Sequence, residues 1–175
     1  MANYYIYLMS SLPSLSFSAK PPFSFDHFLK ACEGLVSDED MSLIRSVGNP
    51  EFNCAKVKNA TLKKLVTFET MLRNELVKIR SSRKKIDPAK YLREEECPES
   101  VYTAHIAINA YRKSSLLEAE KALDHDRWAR LEELAIGRYF DIDILIIYAH
   151  KLLILEKWDK IRSAQTHKML EEVLN

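Results

Sequence analysis

The stretch that most constrains the fold is Asp141–Arg162, DIDILIIYAHKLLILEKWDKIR, the most hydrophobic window of the chain. Its apolar residues are so closely spaced that a helix built from it is apolar on almost every side, and such a helix must be surrounded by protein or lipid. His150 and Lys151 interrupt the run, which is too short and too charged for a membrane span of about 20 apolar residues. We therefore predict the buried central helix of a helical bundle, capped by Asp141.

Glycine usage favours an all-α fold. The chain has only three glycines in 175 residues, which disfavours both a turn-rich β fold and a Gly-rich phosphate loop. With 47% apolar residues, a chain of this length can build one hydrophobic core. We predict a single all-α helical domain, a bundle, over residues 1–175.

Residues 1–23 predict a different local structure. Asn3–Leu8 is rich in Tyr and Ile, which favour extended chain, and Ser10–Pro22 contains three prolines, which exclude a long helix. We predict a short extended N-terminal segment, with one strand as an option, that packs its tyrosines on the bundle. The segment lacks the basic leader of a signal peptide. The three cysteines are widely separated, as is typical of reduced thiols, so we expect a cytoplasmic protein.

N-cap residues and helix breakers delimit the other predicted helices. The first two are short helices, from Ser24 to near Gly34 and from Ser37 to Gly48, and a long helix follows from Asn59 to Asp87. The next helix begins after Pro98 and carries Val101, His105, Ile108 and Tyr111. A further helix is capped by Ser114 or Ser115 and ended by Gly137, and a last short helix covers Gln165–Leu174. The long helix has an apolar stripe formed by Leu62, Leu65, Phe68, Leu72, Leu76 and Ile79. Glu94–Pro98 predicts a solvated linker.

Candidate metal ligands occur in Asp124-His125-Asp126, which together with His105 and Asp143 could supply the ligands of a helical HD-type metal-dependent phosphohydrolase. The simpler interpretation is a charged helix face, because an HD dipeptide alone is a weak signal. None of the five histidines has Glu three residues before it, which excludes the Glu-x-x-His ligands of a di-iron bundle. No G-x-S-x-G turn is present for nucleophilic catalysis. We predict no catalytic residue, metal or cofactor, and a hydrogen-bonded core position for His150.

Charge is unevenly distributed along a chain whose net charge is near zero. Residues 56–85 contain ten Lys or Arg against two acidic residues, whereas acidic residues predominate over 94–133. The basic region ends in Lys78, Arg80, Arg83, Lys84 and Lys85. Three interpretations stay open: a solvated helix face, a surface for an acidic protein, and a surface for nucleic acid. The last lacks the interleaved aromatic residues on which bases stack.

Two stretches carry a family resemblance: the opening Asn3–Phe17, NYYIYLMSSLPSLSF, and the later Gly137–Trp158, GRYFDIDILIIYAHKLLILEKW. Together they resemble an uncharacterised bacterial family encoded alongside V/A-type ATPase genes, which looks like a distant counterpart of the C-type stalk adaptor, called d in eukaryotic enzymes. The resemblance implies an all-helical adaptor between the central stalk and the membrane ring, with no cofactor and no catalytic residue. It also implies chains longer than 175 residues, so we expect a short member or part of a longer protein.

The resemblance and the charge pattern together predict a non-catalytic interaction subunit of a bacterial V/A-type ATPase. Its partner-binding residues would be Arg80, Arg83, Lys84 and Lys85, in contact with an acidic surface of another subunit. We expect it in the cytoplasm, peripheral to the membrane through the ATPase complex. The alternatives are an HD-type phosphohydrolase that uses His105, His125, Asp126 and Asp143, and a nucleic-acid-binding helical module that uses Lys78–Lys85.

Overall fold

The computed structural model describes residues 4–48, 59–93 and 103–174, with side chains as far as residue 164. Within these ranges the chain forms seven α-helices and no strand: α1 (Ile6–Ser11), α2 (Phe25–Cys32), α3 (Asp38–Val47), α4 (Ala60–Lys84), α5 (Thr103–Tyr111), α6 (Leu116–Ala135) and α7 (Ile142–Leu174). A 3-10 helix, Pro88–Tyr91, follows α4. The predicted all-α fold class is confirmed. The linker predicted at 94–98 lies outside the described residues.

Five of the predicted helix starts are confirmed by side-chain caps, whereas the start predicted at Pro98 lies outside the described residues. In each case a side-chain oxygen accepts a hydrogen bond from the backbone N–H three residues later, which satisfies one of the N–H groups left unpaired at a helix start. The donor to acceptor distances are 3.2 Å at Ser24, 3.3 Å at Ser37, 2.8 Å at Asn59, 3.1 Å at Ser115 and 3.1 Å at Asp141. Capping is a local interaction, which is why sequence spacing located it.

Helix α7 is longer than predicted. The sequence predicts a helix over Asp141–Arg162 and a separate short one over Gln165–Leu174, but α7 is one helix of 33 residues that continues to Leu174. The correction has a simple cause, because residues 163–174 contain neither Gly nor Pro to end the helix. Despite this length, no helix in the described parts of the chain is apolar enough over a sufficient stretch to cross a membrane.

The N-terminal segment is partly helical, which corrects the prediction of an extended segment over residues 1–23. Tyr5 and Leu8 are buried, and Met9 and Leu12 pack beside them, so the apolar positions recur with the spacing of a helix face. Packing of this face outweighs the extended preference of Tyr and Ile, which depends strongly on context. Residues 12–24 are not helical, as expected. Of the tyrosines here Tyr5 packs as predicted, whereas Tyr4 and Tyr7 are 70% and 77% exposed, against the prediction.

The chain divides into two compact units. Unit 1 comprises Met1–Pro50 and Leu131–Asn175, and unit 2 comprises Glu51–Arg130. Whether the two behave as the one domain predicted over residues 1–175 is a question of cooperativity, and the single domain stays a prediction.

The core of unit 1 is built on α7, as the hydrophobic window predicts. Leu145, Ala149 and Leu152 are fully buried in one cluster with Phe28 of α2 and Ile44 of α3. Aromatic rings add to this cluster, with the centroid of Phe28 lying 5.3 Å from that of Tyr148. The buried C-terminal helix is therefore confirmed within this unit.

The core of unit 2 is formed where α4 packs on α5. The α4 stripe contributes buried Phe68 and Leu72, and its last members, Leu76 and Ile79, are partly buried against the same cluster. Helix α5 contributes Ala107 and Ala110, while the larger apolar residues on which its prediction rested, Ile108 and Tyr111, are exposed. Small side chains let two helices approach closely, which explains why the alanine face is the one that packs.

Candidate partner-binding surface

The four residues predicted to bind a partner lie at the C-terminal end of α4. Arg80, Arg83, Lys84 and Lys85 are all exposed, and none of them forms an ion pair with a residue that the structure describes. Arg80, Arg83 and Lys84 are spaced by three and four residues, so they share one face of the helix. The neighbouring Lys78 differs, because its ammonium lies 2.6 Å from the Glu75 carboxylate. Arg80, Arg83, Lys84 and Lys85 are therefore four cations within six positions, with no carboxylate partner among the described residues.

The end of α4 is a well-formed helix terminus. Lys85 adopts the left-handed conformation with φ 55°, and the N–H of Ile86 donates to the carbonyl of Ser81 at 3.1 Å. Such a terminus is common, although Gly is preferred at the left-handed position. Cations near a helix C-terminus interact favourably with the helix dipole, which lowers the cost of placing like charges together here.

The chain after α4 is fixed against the helix by two polar side chains. The Arg73 guanidinium donates to the Tyr91 carbonyl at 3.0 Å. The buried Asn74 amide donates to the Arg93 carbonyl at 2.9 Å and accepts from the Arg93 N–H at 3.0 Å. Asn is a weak helix former and competes for backbone hydrogen bonds, so its position inside a long helix was the one sequence signal of this contact.

This returning segment follows the four cations in the chain and exposes apolar side chains of its own. Ile86 is 45% exposed, Tyr91 53% and Leu92 37%, and Lys90 and Arg93 between and after them are exposed as well. Asp87 is the one carboxylate of residues 80–93, and it accepts the N–H of Ala89 at 3.0 Å to begin the 3-10 helix. We call residues 80–93 the α4-end surface. Sequence reasoning found its charge and missed its apolar residues, because Ile86 and Tyr91 follow no helical spacing.

The candidate metal ligands have other surroundings. His105 and His125 are exposed, whereas Asp124 is buried and accepts a hydrogen bond from Arg127 at 2.8 Å. Asp143 is ion-paired with Arg138. Among the described residues no group of three or more His, Cys, Asp or Glu is placed to hold a metal ion.

Arg127 is the centre of a charge network within unit 2. Its guanidinium lies 2.8 Å from the Glu69 carboxylate and 2.8 Å from that of Asp124. Burial by itself lowers the pKa of Arg127, but the two carboxylates outweigh it and the net pKa shift is upward. The ion pair with Arg127 thus accounts for the burial of the Asp124 carboxylate. Burial raises the pKa of the adjacent Asp126, and the nearby charges of His125 and Lys113 oppose that rise.

The prediction of a hydrogen-bonded core position for His150 is wrong in one respect. Its Nε2 atom is shielded from solvent but has no hydrogen-bond partner among the described residues. Burial lowers the pKa of His150 to about 4, so the imidazole is neutral at physiological pH. Burial likewise raises the pKa of the Cys32 thiol to about 11, which leaves it unreactive as a nucleophile.

The two stretches that carry the family resemblance are joined within unit 1. The Tyr5 N–H donates to the Phe140 carbonyl at 2.6 Å, and the Tyr148 hydroxyl donates to the Pro13 carbonyl at 3.0 Å. Further along α7, the Arg162 guanidinium donates to the Ser18 carbonyl at 2.8 Å. The opening segment is therefore held along α7 by hydrogen bonds as well as by packing.

A cavity of about 170 Å³ lies between this segment and α7. Its walls are mostly apolar, and its one charged residue, Lys151, lies 3.4 Å from the Glu132 carboxylate. The lining residues are Met9, Leu12, Pro13, Ser14, Leu15, Ala135, Ile144, Ile147, Tyr148 and Lys151. Ligand pockets usually measure roughly 300–1,000 Å³, so we assign no ligand to it.

These features define an all-α protein whose most distinctive exposed surface is cationic. The chain belongs to DUF2764, a protein family of unknown function, whose model matches residues 51–175. The match includes the α4-end surface and the Gly137–Trp158 stretch, and it does not extend to Asn3–Phe17. No curated protein and no solved structure matches the chain.

Proposed function

We propose that this protein is a non-catalytic interaction subunit associated with a bacterial V/A-type ATPase, a C-type stalk adaptor between the central stalk and the membrane ring. In this role Arg80, Arg83, Lys84 and Lys85 contact an acidic surface of another subunit. The observation that carries the proposal is that these four exposed cations have no ion pair with any described residue. The choice of an ATPase as partner rests on the sequence resemblance, and a cytoplasmic location at the membrane periphery is part of the same proposal.

The arrangement of the cations supports a partner more than a solvated face. A solvated basic helix usually alternates its cations with carboxylates at helical spacing, as Glu75 and Lys78 do here. From Arg80 to Lys85 no carboxylate interrupts the cations, so an acidic partner would relieve the repulsion among them. No contact among the described residues favours the metal-dependent phosphohydrolase, because His105 and His125 are exposed and Asp143 is ion-paired with Arg138. Asp126 is partly buried, and no group of three metal ligands forms among these residues.

Charge reversal of the four cations tests the proposal. The variant Arg80→Glu, Arg83→Glu, Lys84→Glu and Lys85→Glu should associate with the isolated stalk or ring about tenfold or more slowly at low salt, because complementary charge mainly speeds encounter. The difference should shrink at high salt, where screening is strong. Surface plasmon resonance at two ionic strengths measures the association rate, and circular dichroism checks that the helices are intact.

The control reverses the same number of charges elsewhere. Lys20, Lys30, Lys64 and Lys121 lie outside the α4-end surface, so replacing all four by Glu changes the net charge equally. This control should associate faster than the α4-end variant. Equal rates for the two variants would remove the surface from the proposal, and the absence of binding to stalk and ring would remove the ATPase role.

A further inference from the structure

The α4-end surface combines two kinds of side chain that differ in what they contribute to binding. Its cations are exposed and attract an acidic partner from a distance. Ile86, Tyr91 and Leu92 are apolar, so they contribute binding free energy only when a partner buries them. Tyr and Arg are among the residues most enriched at the positions that dominate binding energy in protein interfaces. Their occurrence within one segment of 14 residues, 80–93, is the starting observation.

The backbone that carries Tyr91 and Leu92 is held in place before any partner arrives. The Asn74 amide makes two hydrogen bonds with the backbone of Arg93, and Arg73 holds the Tyr91 carbonyl. A segment fixed in this way loses little conformational freedom on binding, which strengthens a specific contact.

We infer that Ile86, Tyr91 and Leu92 are the anchors of the same interface, and that they seat in an apolar recess of an acidic protein surface. This rests on the proposed function and deepens it by stating the chemistry of the partner. The cations Arg80, Arg83, Lys84 and Lys85 set the rate of association, and the three anchors set the rate of dissociation.

The charges of the segment favour a protein over an anionic bilayer. Asp87 lies among the cations, and the sequence continues directly into Glu94, Glu95 and Glu96. A uniformly negative lipid surface attracts polybasic segments and repels such carboxylates. A protein surface can match both signs and can also provide a recess of fixed shape for Tyr91 and Ile86. Charge complementarity therefore commits the site to a protein whose acidic groups face Arg80, Arg83, Lys84 and Lys85, rather than to a uniformly negative surface.

The test compares two triple variants of the intact protein. Ile86→Ala, Tyr91→Ala and Leu92→Ala together should raise the dissociation rate from the isolated stalk or ring about thirtyfold or more, as the loss of an interface anchor does, with little change in association rate. The matched control replaces Ile136, Tyr139 and Leu116 by Ala, three residues of the same types that are 80%, 70% and 82% exposed elsewhere. The control should dissociate at the rate of the wild type.

Each outcome decides between the two proposals. An unchanged dissociation rate for the anchor variant, with slower association of the charge-reversed variant, overturns the anchors and leaves the proposed function standing. Absence of wild-type binding to stalk and ring overturns the proposed function. Flotation with phosphatidylcholine vesicles containing phosphatidylglycerol provides the remaining arm. Wild-type binding to these vesicles that is lost in the anchor variant, without binding to ATPase subunits, identifies a lipid surface and overturns the protein partner.

Discussion

Units 1 and 2 differ in what they bury. The buried residues described in unit 1 are hydrophobic, with aromatic side chains such as Phe28 and Tyr148 prominent among them, and the partly buried His150 adds a shielded polar atom, Nε2. Among the described residues, the buried polar and charged ones all belong to unit 2, and they are Thr61, Thr67, Asn74, Ser81, Thr103 and Asp124. Apolar burial is roughly proportional to area and has no direction, whereas a buried polar group needs a partner at a defined place.

Because of this difference, we expect the buried groups of unit 1 to contribute mainly to stability, and those of unit 2 also to fix the position of particular segments. Unit 1 uses its polar groups at the margin of the core, where Tyr148 and Arg162 hold the opening segment. Unit 2 uses Asn74 inside its structure to fix the backbone of the α4-end surface. A fully satisfied buried polar contact specifies one arrangement more strongly than it stabilises. We expect substitutions in unit 1 to act mainly on stability, and substitutions in unit 2 to act also on the surface it presents.

The largest expected effect is the loss of a core leucine. Leu145→Ala in unit 1 should lower the free energy of unfolding by about 2–5 kcal/mol, because it removes a fully buried side chain and leaves a cavity. The chain has two tryptophans, Trp158 in unit 1 and Trp128 in unit 2, and both are buried. Urea unfolding of Trp128→Phe and Trp158→Phe backgrounds reports each unit by fluorescence.

This experiment also tests the single domain predicted over residues 1–175. If the chain unfolds as one cooperative domain, Leu145→Ala shifts the Trp128 and Trp158 transitions together, and Leu72→Ala in unit 2 does the same. We expect coincident transitions. A shift seen by Trp158 alone for Leu145→Ala, and by Trp128 alone for Leu72→Ala, would contradict the single domain.

The next effect is a pH dependence that distinguishes the two units. The pKa of His150 is about 4 in the folded chain against an ordinary value of 6.5, so between these values the unfolded chain binds a proton that the folded chain does not. The contribution of His150 to the free energy of unfolding should therefore be constant above pH 6.5. As the pH is lowered from 6.5 to 4, this contribution should fall by at most about 3 kcal/mol. Urea unfolding at stepped pH measures it.

His150→Leu should remove this loss, while His105→Gln, a change of an exposed histidine in unit 2, should keep it. Asp126 acts in the opposite sense. Its raised pKa means that the folded chain binds a proton more readily than the unfolded chain, so its contribution rises as the pH falls. A His150→Leu variant that loses as much stability as the wild type between pH 6.5 and pH 4 would contradict the assignment to His150.

The smallest expected effect on stability comes from Asn74, yet it should change local structure the most. Asn74→Ala leaves the N–H and carbonyl of Arg93 without their partner, which should cost about 1–3 kcal/mol. Trypsin should then cleave faster after Lys90 and Arg93. The control is Asn109→Ala, because Asn109 is exposed on α5. Equal cleavage rates for the two variants would show that Asn74 does not hold the α4-end surface.

Local chemistry made much of the helical architecture predictable. Ser24, Ser37, Asn59 and Asp141 cap the helices they were expected to cap, because a cap depends on residues three positions apart. The apolar stripe of α4 was also predictable, because it depends on residues three and four positions apart. The charge of the α4-end surface was also visible, since ten Lys or Arg against two acidic residues over 56–85 requires no knowledge of the fold.

Contacts between distant residues were not predictable from spacing. The helix α1 forms because Tyr5 and Leu8 pack in a core that includes α7, although their local preference is for extended chain. Arg127 pairs with Glu69, 58 positions away, and also with Asp124. Because sequence spacing does not show this network, Asp124 could be interpreted as a metal ligand. Ile86 and Tyr91 follow no helical spacing, and the contact of Asn74 with the backbone of Arg93, 19 positions away, folds their segment back along α4.

The discontinuity of unit 1 affects the order in which the chain can fold during synthesis. The N–H of Phe25, at the start of α2, donates to the Glu156 carboxylate at 2.6 Å across 131 positions, and α2 and α3 pack on the same helix, α7. The ribosome must therefore release the first 50 residues long before their core partner exists, whereas Glu51–Arg130 is contiguous. Bringing such distant segments together is slow compared with forming local contacts. Until α7 emerges, Phe25, Phe28 and Ile44 are exposed apolar side chains of a nascent chain, which is the kind of surface that chaperones bind.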